Sequence, residues 1–434
     1  MCISCIKINS ILHFSGDDSL IIGIFSLSLQ KITHPMKTFD FDSPIDRHGS
    51  GAMKTDGLSE LFGRDDITGM WIADMDFAVD SSIAEALMSR LRHPIYGYTR
   101  VPDSYWQSII GWLDRRHGWA VQREELMFSP GVVKGIGYII NFFTRPGDKI
   151  VIQPPVYHPF KILIEGNGRV AVNNPLVETD DRSYRMDTDG LERIFATEHP
   201  AMMILCNPHN PAGIQWDEEP LKTVASLARK HGVKVISDEI HGDLVLYGQP
   251  HYPFLAVSDD AAEVGIALGA PSKTFNIPGM VSSWVVIKNK KLREPFYHWM
   301  EVNEFCEPTF FATIATEAAY NNGEQWLDAA TDYIEGNIKA VEEYCAENMP
   351  MIRPWRPQAS FLTWLDCREL GLPQDELVKL FVEDACLALN SGTMFGAEGE
   401  GFMRFNVASP RRCLIEALER VAKAVAHVTV PECC

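Results

Sequence analysis

The 434-residue chain lacks the features that would mark a membrane-spanning or nucleic-acid-binding protein. No apolar run is long enough to cross a bilayer as a helix. The formal net charge is −19, and Lys and Arg form no basic cluster of the kind that a phosphate backbone requires. Low-complexity linkers and internal repeats are also missing. We therefore expect neither a membrane nor a nucleic-acid partner.

Cysteine is sparse, with ten residues scattered along the chain, and Cys206 and Cys386 lie within apolar runs. This pattern is typical of small buried hydrophobic residues rather than of a disulfide framework, and it favours a reducing compartment, the cytoplasm. A CxxC motif begins at Cys2 and a Cys-Cys pair ends the chain at Cys434. Neither has the context of a zinc knuckle or a redox motif, so we expect free thiols and no metal.

Residues 1–35 differ in character from the rest of the chain. The apolar stretch SLIIGIFSLSL has about the length of a signal-peptide core, but Asp17 and Asp18 stand where positive charge is expected, and no small-residue cleavage site follows. An export signal is therefore not expected. We expect that this segment is an overlong gene start or a disordered extension before Met36.

From about residue 81 the pattern indicates an α/β core. Apolar runs alternate with segments of helical pattern, and the runs are KIVIQ (149–153), RVAVN (169–173), AMMILCN (201–207), VKVISD (233–238), VGIALG (264–269) and SWVVIK (283–288). Continuous apolar strands separated by helices favour a largely parallel sheet covered on both faces. The length of the chain favours two domains. We place the large domain at 85–328 and a smaller α+β domain at 36–84 and 329–434.

Three polar motifs follow three of these strands: NPHNPAG (207–213), SDEIHGD (237–243) and APSKTFN (270–276). Ligands of parallel sheets bind outside the carboxyl ends of the strands, so we expect the motifs to share one crevice. Lys273, at the mouth of a buried strand, can be partly desolvated and form an imine with an aldehyde, which is the chemistry of pyridoxal phosphate. Alone, a surface lysine is the commoner interpretation; the set of motifs changes that.

Three side chains near strand ends suit parts of this cofactor. Asp238 is costly to bury without a cation, which a protonated pyridine nitrogen would supply; for an isolated Asp, a helix N-cap or a loop carboxylate would be the favoured interpretation. Asn210 can donate to the phenolate oxygen of the ring while it forms an Asn-Pro turn. Tyr157, in QPPVYHPF (153–160), suits stacking on a flat ring, with core packing as the alternative.

Two further segments suit anionic groups. In SPGVVKG (129–135), the N–H groups of Gly131, Val132 and Val133 would form a phosphate cradle at a helix N-terminus, although a plain strand-to-helix turn looks similar. Arg404 lies between apolar residues in the predicted strand FMRFN. Its burial is expensive unless a carboxylate meets it, and the α-carboxylate of an amino acid can do so bidentately. An internal salt bridge is the alternative.

Together these segments resemble the fold-type I pyridoxal phosphate enzymes of aminotransferase class I/II, and closely their MalY/PatB-type C–S lyase branch. The resemblance runs from about Phe39 to Ala424, and its motifs in family order are FDFDSPIDRHGS, WIADMDFAV, HPIYGYTR, PVYHPF, NPHNPAG, SDEIHGD, SKTFNIPG and FMRFNVASPR. It implies a large domain with a mostly parallel seven-stranded sheet sandwiched by helices, a smaller α+β domain, and an active homodimer.

The resemblance assigns most of these residues to the cofactor. Lys273 would form the imine and remove the Cα proton of the substrate, Asp238 would pair with the pyridinium, and Asn210 would donate to the phenolate oxygen. Tyr157 would stack on the ring. The other residues expected to contact the cofactor are His241, Ser272, Gly131, Val132 and Val133.

The resemblance also implies a substrate clamp and a shared site. Arg404 would hold the α-carboxylate, with Asp74 nearby in the substrate pocket. Tyr98, in GYTR, would reach across the dimer interface to the cofactor phosphate of the partner. Two positions depart from the superfamily pattern: Ala270 stands where a phosphate-binding Ser is common, and Ala212 stands where a Thr is usual. Because Ala270 has no hydroxyl, Ser272 and the helix N-terminus would have to contribute more of the phosphate binding.

These roles predict a β-elimination that cleaves L-cystathionine, or a related cysteine S-conjugate, to a thiol, pyruvate and ammonia. An aminotransferase would use the same lysine, aspartate and arginine, and only WIADMDFAV and DRHGS favour the lyase. A regulator that acts through a protein partner stays open. A DNA-binding regulator is disfavoured, because only 35 residues precede Met36 and they are not basic.

Overall fold

The computed structural model describes residues 38–428, so the expectations for residues 1–35 and for the terminal cysteines lie outside the described residues. The strands of this range are β1 (Thr68–Gly69), β2 (Leu126–Ser129), β3 (Lys149–Ile152), β4 (Val170–Asn173), β5 (Val177–Thr179), β6 (Ser183–Arg185), β7 (Met202–Cys206), β8 (Lys234–Asp238), β9 (Gly265–Gly269), β10 (Ser283–Val286), β11 (Arg353–Trp355), β12 (Leu362–Asp366), β13 (Leu387–Ala388), β14 (Asn390–Ser391) and β15 (Phe402–Asn406). The α-helices are α1 (Met53–Asp56), α2 (Leu58–Phe62), α3 (Ser81–Leu91), α4 (Asp103–His117), α5 (Val132–Phe143), α6 (Pro159–Gly166), α7 (Thr188–Glu198), α8 (Glu218–His231), α9 (Asp259–Val264), α10 (Pro271–Thr274), α11 (Lys290–Val302), α12 (Phe310–Asn322), α13 (Glu324–Asn348), α14 (Gln374–Lys379) and α15 (Arg411–Val425).

Seven strands form the central sheet, in the order β2-β10-β9-β8-β7-β3-β4. The neighbours from β9 to β4 are parallel, and β10 runs antiparallel to both of its neighbours. The predicted fold class, with its mostly parallel seven-stranded sheet, is confirmed. Six of the seven strands coincide with the predicted apolar runs. Strand β2 is not predicted, because its sequence, LMFS, contains no β-branched residue of the kind that favours strands.

Burial on both faces of this sheet explains why its central strands are rich in apolar residues. All five residues of β7 and of β9 are buried. Successive side chains of a strand point to opposite faces, so in β8 Val235 joins one core cluster and Ile236 joins the other. Helix α8 adds Leu221 to the first cluster, and α5 adds Ile136 to the second. Helices therefore cover both faces.

The carboxyl ends of the parallel strands lie along one edge of the sheet. Asp238, the last residue of β8, is the register partner of Cys206 at the end of β7 and of Leu268 near the end of β9. Strand β2 runs in the same direction as β9, because two antiparallel steps through β10 restore it. The segments that follow β2, β3, β7, β8 and β9 all start at this edge, which is where such sheets bind ligands.

A four-stranded antiparallel sheet in the order β11-β12-β15-β14 lies in the C-terminal part of the chain. Arg404 is at the centre of β15, with Trp364 and Asn390 as register partners on the two adjacent strands. Near the N-terminus, β1 pairs in parallel with β13, so residues from 36–84 join the C-terminal part. The domain boundaries themselves stay a prediction.

The cysteines of residues 38–428 are all free thiols, and Cys206, Cys345 and Cys367 are buried. Among residues 38–428, no group of His, Cys, Asp and Glu has the arrangement of a metal site. The helices in the same range include none that combines the length and the apolar character needed to cross a membrane.

Candidate active site

Lys273 lies on α10, a single helical turn directly after β9. Its Nζ donates a hydrogen bond to the carbonyl oxygen of Ala73 over 2.5 Å. Burial lowers the pKa of Lys273 to about 8; the nearby guanidinium of Arg404 adds to this, while the carboxylates of Asp74 and Asp238 oppose it. An amine with this pKa is partly neutral near neutral pH, so it can act as a nucleophile or a base.

Asp238 is 3% exposed at the end of β8. One carboxylate oxygen accepts a hydrogen bond from the N–H of Ile240 over 3.1 Å. Burial raises the pKa of Asp238 to about 7, and the Ile240 bond and the charge of Lys273 oppose this only in part. No cation in the described part of the chain lies within ion-pair distance of it. A protonated ring nitrogen is the kind of group that would stabilise such a carboxylate.

Arg404 is 4% exposed and is held by neutral oxygens. Nη1 donates to Oδ1 of Asn210 over 3.0 Å, and Nη2 donates to the carbonyl of Trp71 (2.9 Å) and to Oδ1 of Asn390 (2.6 Å). Phe395 lies under the guanidinium at 4.9 Å. Burial lowers the pKa of Arg404 to about 10. Within the described residues no carboxylate pairs with Arg404 and its Nε has no hydrogen-bond partner, so a bound carboxylate would meet an unneutralised cation.

The contact with Arg404 also sets the orientation of the Asn210 amide. A guanidinium can only donate, so Asn210 must turn its oxygen toward Arg404. Its NH₂ group is then the part that can donate to another acceptor. This orientation suits the predicted hydrogen bond to a phenolate oxygen, which stays a prediction.

Tyr157 and His241 lie close enough to the charged site residues for the charge of Arg404 to affect the pKa of both. The pKa of Tyr157 is raised first by burial and then by Asp238, against the effect of Arg404. Burial, followed by the charges of Lys273 and Arg404, lowers the pKa of His241 to about 3, so its imidazole is neutral. Its buried Nδ1 has no hydrogen-bond partner among the described residues. The crevice therefore offers a flat half-buried ring and an unsatisfied polar atom, and both fit a heteroaromatic cofactor.

The glycine turn after β2 is only partly open to a phosphate. Gly131 is the N-cap of α5 with a φ of 104°, a conformation that glycine adopts easily. Its own N–H donates to the carbonyl of Ser129 (2.8 Å) and to Oγ of Ser283 (3.1 Å), so this amide is already used within the chain. Because the N-cap residue is a glycine, it has no side-chain oxygen that could accept hydrogen bonds from the N–H groups of Val132 and Val133. Their role as phosphate donors stays a prediction.

Asp74 belongs to residues 71–77, which we call the carbonyl strap. Its carbonyl oxygens accept hydrogen bonds from five side chains, namely from Arg404 to Trp71, from Asn406 to Ile72 and Asp74, from Lys54 to Asp74, from Lys273 to Ala73, and from Asn276 to Met75 and Phe77. The strap therefore joins the lysine-bearing turn to the arginine-bearing strand. Asn276, Asn390 and Asn406 are not predicted from the sequence, although Asn276 and Asn406 lie inside the motifs quoted for the resemblance.

The side chain of Asp74 is already paired. Arg47 binds it with two hydrogen bonds, of 2.9 and 2.7 Å, and also reaches Asp76 over 3.0 Å. Lys54, only 1% exposed, lies 2.8 Å from Asp76 and 3.7 Å from Asp74. Two cations and two carboxylates thus fix the strap without net charge. The substrate role of Asp74 stays a prediction, and the partners of its carboxylate come from the DRHGS segment and the helix that follows it.

The last two predicted site residues are Tyr98, which is exposed, and Ser272, which is buried. Tyr98 is fully exposed, within a run of exposed residues at 91–100 that lacks regular structure after residue 93. Its predicted reach into a partner subunit stays a prediction. Ser272 is 8% exposed beside Lys273 on α10, and its predicted phosphate contact is likewise untested.

The sheet order and the strand-end set of Lys273, Asp238 and Asn210, facing Arg404, define an aminotransferase-type α/β protein. The model of the family described as aminotransferase class I and II matches residues 72–421, and the chain belongs to this family. The cystathionine beta-lyase PatB of Bacillus subtilis is 42% identical over 386 residues, which cover 89% of this chain and 100% of that relative. Protein MalY of Escherichia coli is 33% identical over 392 residues, with 90% and 100% covered.

A solved structure extends this similarity. Cystalysin from Treponema denticola, which contains a pyridoxal 5′-phosphate cofactor, matches with a TM-score of 0.87 at 30% identity, covering 91% of this chain and 100% of that one. The predicted resemblance to the MalY/PatB branch is confirmed.

Proposed function

We propose that this protein is a pyridoxal phosphate-dependent C–S β-lyase that converts L-cystathionine, or a related cysteine S-conjugate, and water to a thiol, pyruvate and ammonia. The observation that carries the proposal is one crevice that combines a lysine of lowered pKa with a buried carboxylate and a buried arginine, neither of which has an oppositely charged partner among residues 38–428. The similarity to the cystathionine beta-lyase PatB over its whole length supports this choice. A cytoplasmic location is part of the proposal.

The residues present fit the cofactor. Pyridoxal phosphate, when bound, supplies a carbonyl for the amine of Lys273 and a ring that withdraws electrons from the substrate Cα. Asp238 would hold the proton on the ring nitrogen, and the NH₂ group of Asn210 would donate to the ring oxygen. Tyr157 would lie against the ring. Of the predicted phosphate donors Gly131, Val132, Val133 and Ser272, the proposal retains the last three, because the N–H of Gly131 is bonded within the chain.

The chain's own groups would then carry the elimination. Arg404 binds the α-carboxylate and so fixes the direction of the Cα–H bond. Lys273, in its neutral form, accepts the Cα proton at Nζ. The electron pair left at Cα forms a double bond to Cβ, and the Cβ–S bond breaks with its pair leaving on the thiolate. Water completes the reaction to pyruvate and ammonia.

An amino-acid aminotransferase is the competing function. The family description names aminotransferases, and the residues that would contact Cα serve both reactions. The two differ in whether Cβ loses a leaving group. The identity of the products therefore distinguishes them.

The proposal includes a homodimer. Met88, Leu91, Ile95 and Tyr96 are large apolar residues with 42–67% of their surface exposed, and they lie next in sequence to the fully exposed Tyr98. Apolar residues concentrated in one stretch favour burial against another subunit. In a two-fold dimer each Tyr98 would then reach the site of its partner.

Pyruvate release from L-cystathionine, with no added keto acid, tests the function. The purified holoprotein should release pyruvate and homocysteine in equal amounts. Lys273→Ala should abolish release, whereas Lys290→Ala, at an exposed lysine paired with Glu294, should not. Conversion of the bound cofactor to pyridoxamine phosphate by an ordinary amino acid, without pyruvate from L-cystathionine, would favour transamination instead.

A further inference from the structure

A buried carboxylate lies directly behind the lysine-bearing turn. Asp243 accepts hydrogen bonds from the indole Nε1 of Trp112 (2.8 Å) and from the hydroxyl of Thr274 (2.8 Å). Nε2 of His117 lies 2.7 Å from the same oxygen that Trp112 contacts. The side chains of His117 and Asp243 are only 8% and 10% exposed. Neither the family resemblance nor the proposed chemistry gives this cluster a role.

The cluster connects the two elements that carry the main site residues. Asp243 lies in the short 3₁₀ helix Gly242–Leu244, which follows Asp238 along the chain. Thr274 is the neighbour of Lys273 on α10. On the other side, both Trp112 and His117 come from α4. One carboxylate therefore ties the lysine-bearing turn to the loop after β8 and to a long helix.

Helix α10 is too short for its own backbone hydrogen bonds to fix its position, so contacts from outside the helix must do so. It has four residues, and its N-cap, Ala270, provides no side-chain hydrogen bond. A single turn leaves most of its backbone groups without intrahelical partners. The hydroxyl of Thr274 makes a 2.8 Å bond to Asp243 and only a long one, 3.5 Å, to the carbonyl of Ala270. The contact with Asp243 is therefore the shorter and stronger of the two.

We propose that Asp243 is a positioning residue for Lys273: it holds α10 through the hydroxyl of Thr274, so that Nζ of Lys273 stays directed into the crevice. The inference rests on the proposed function of Lys273. The carboxylate of Asp243 contacts Trp112, His117 and Thr274, and the proposal gives it no contact with substrate or cofactor. Its effect on the reaction would pass entirely through the position of the amine.

The charges around the cluster favour an anionic Asp243. Burial alone would raise its pKa, but His117, Thr274 and Trp112 together hold the pKa of Asp243 below its usual range. The other titratable or charged groups that face the cluster include Tyr320, whose pKa is affected by the charge of Asp243, and the ring of His251, 5.2 Å from that of His117. Nε2 of His251 in turn lies 3.2 Å from Glu239. The guanidinium groups of Arg115 and Arg116 also lie over the ring of Trp112, at 5.4 and 5.9 Å. A carboxylate in this setting can accept from all three donors at once.

Thr274→Val tests the proposal, because it removes the hydroxyl and keeps the shape. Thr274→Ser keeps the hydroxyl and removes only the methyl group. Thr331→Val is the matched control, since Thr331 is also buried but its hydroxyl bonds only to carbonyls of its own helix, those of Leu327 and Asp328. The holoprotein is titrated with acid and base while the absorbance of the bound cofactor is followed. In parallel, kcat and KM for L-cystathionine and the Tm are measured.

We expect Thr274→Val to shift the midpoint of the absorbance titration by about 0.5–1 pH unit. Because a misplaced amine impairs proton transfer more than binding, kcat should fall about 10–100-fold with little change in KM. Thr274→Ser and Thr331→Val should behave like the unsubstituted protein. If Thr274→Val does not fold, Asp243→Asn replaces it in the same comparison and should give the same shift and the same loss of kcat.

Two results would overturn the inference in different ways. A lower Tm with unchanged titration and unchanged kcat would assign the cluster a purely structural role. Failure of borohydride to fix the cofactor covalently on Lys273 of the unsubstituted protein would overturn the proposed function, and the inference with it. Peptide mapping after reduction separates the two cases.

Discussion

Nη1 of Arg404 donates to Oδ1 of Asn210 over 3.0 Å, so the arginine predicted to hold the substrate and the asparagine predicted to hold the cofactor also hold each other. The arginine comes from β15 and the asparagine from the turn after β7, two segments 194 residues apart in sequence. The substrate side and the cofactor side of the crevice are therefore mechanically linked. A change at Arg404 should be felt on both sides.

Arg404→Lys should lower kcat/KM for L-cystathionine by about 10–100-fold, because hydrogen bonds to charged groups contribute about 1.5–3 kcal/mol each. The ammonium keeps the charge but cannot bond Asn210, Trp71 and Asn390 in the same geometry. Steady-state kinetics measure the effect, which should include a higher KM. Arg420→Lys is the control, since Arg420 is also bonded to neutral oxygens, those of Ala385 and Thr68, although it is only half-buried. Equal kinetics in the two variants would contradict a role in carboxylate binding.

The uncompensated carboxylate of Asp238 should make the cofactor-free protein less stable at high pH. Its pKa in the fold, about 7, lies above its ordinary value of 3.8, so the fold holds the proton more tightly than the unfolded chain does. The stabilisation is complete below the ordinary value and is lost as the pH rises through about 7. Asp238→Asn cannot ionise, so it should raise the Tm of the cofactor-free protein at pH 8–9, by about 1 °C per kcal/mol recovered, and raise it least at pH 4–5.

The same substitution should act in the opposite direction on the cofactor. Without the carboxylate, the ring nitrogen loses its partner, so the affinity for pyridoxal phosphate should fall. Thermal scans across pH and a cofactor titration measure the two effects. Asp114→Asn, at an exposed aspartate, should change neither. A Tm gain that is the same at every pH would show that ionisation of Asp238 is not the cause.

The pKa of Lys273 should be visible in the rate at which the cofactor-free protein takes up pyridoxal phosphate. Only the neutral amine attacks the carbonyl, so the rate should rise with pH up to about 8 and then level off. Stopped-flow absorbance between pH 6.5 and 9.5 measures it. The reaction of free Nα-acetyllysine is the reference, and it should keep rising toward its ordinary pKa of about 10.4. A protein rate that also rises beyond pH 9 would contradict the lowered pKa.

The sheet is predictable from sequence to the extent that its strands are buried on both faces. The runs MMILC of β7 and GIALG of β9 are apolar throughout because neither face meets water, so composition alone marks them. Strand β2 has no β-branched residue and pairs with β10, whose Ser283 lies 154 residues from its partner Ser129. Strands β11 and β14 have only three and two residues, and they form by pairing with β12 and β15. No local pattern can indicate such pairing.

The site residues also divide into those that a strand pattern predicts and those that it does not. Lys273 and Asp238 are predictable because each follows a recognisable strand, and parallel strands bring their carboxyl ends to one edge. Asn276 is not, because its function depends on Met75, which lies 201 residues away in sequence. The pairing of Asp74 with Arg47 is likewise a product of the fold. Polar residues that hold backbone carbonyls carry no signal of their own in a single sequence.

Asn276 should be important for the carbonyl strap. Its side chain exchanges three hydrogen bonds with Met75 and Phe77, and its φ of 55° is one that glycine tolerates. Asn276→Gly therefore removes the bonds without adding backbone strain, and it should cost about 0.5–1.5 kcal/mol per bond, together with part of kcat. Glu304→Gly, at an exposed residue with a φ of 57°, controls for backbone freedom. Chemical denaturation and kinetics measure both variants; equal losses in the two would mean that the bonds contribute little.

The exposed Tyr98 allows a direct test of a site shared between subunits. If Tyr98 acts in the partner's site, Tyr98→Ala and Lys273→Ala should each be inactive or strongly impaired as homodimers. Their co-expressed heterodimer should contain one site with both defects and one intact site. When the two variants pair at random, about a quarter of all sites in the co-expressed mixture should be intact. Two-tag purification isolates the heterodimer, and its pyruvate release from L-cystathionine is compared with that of each parent. Restored activity in the heterodimer supports the shared site. A heterodimer no more active than the average of its parents would place Tyr98 and Lys273 in the same site or show that Tyr98 has no such role.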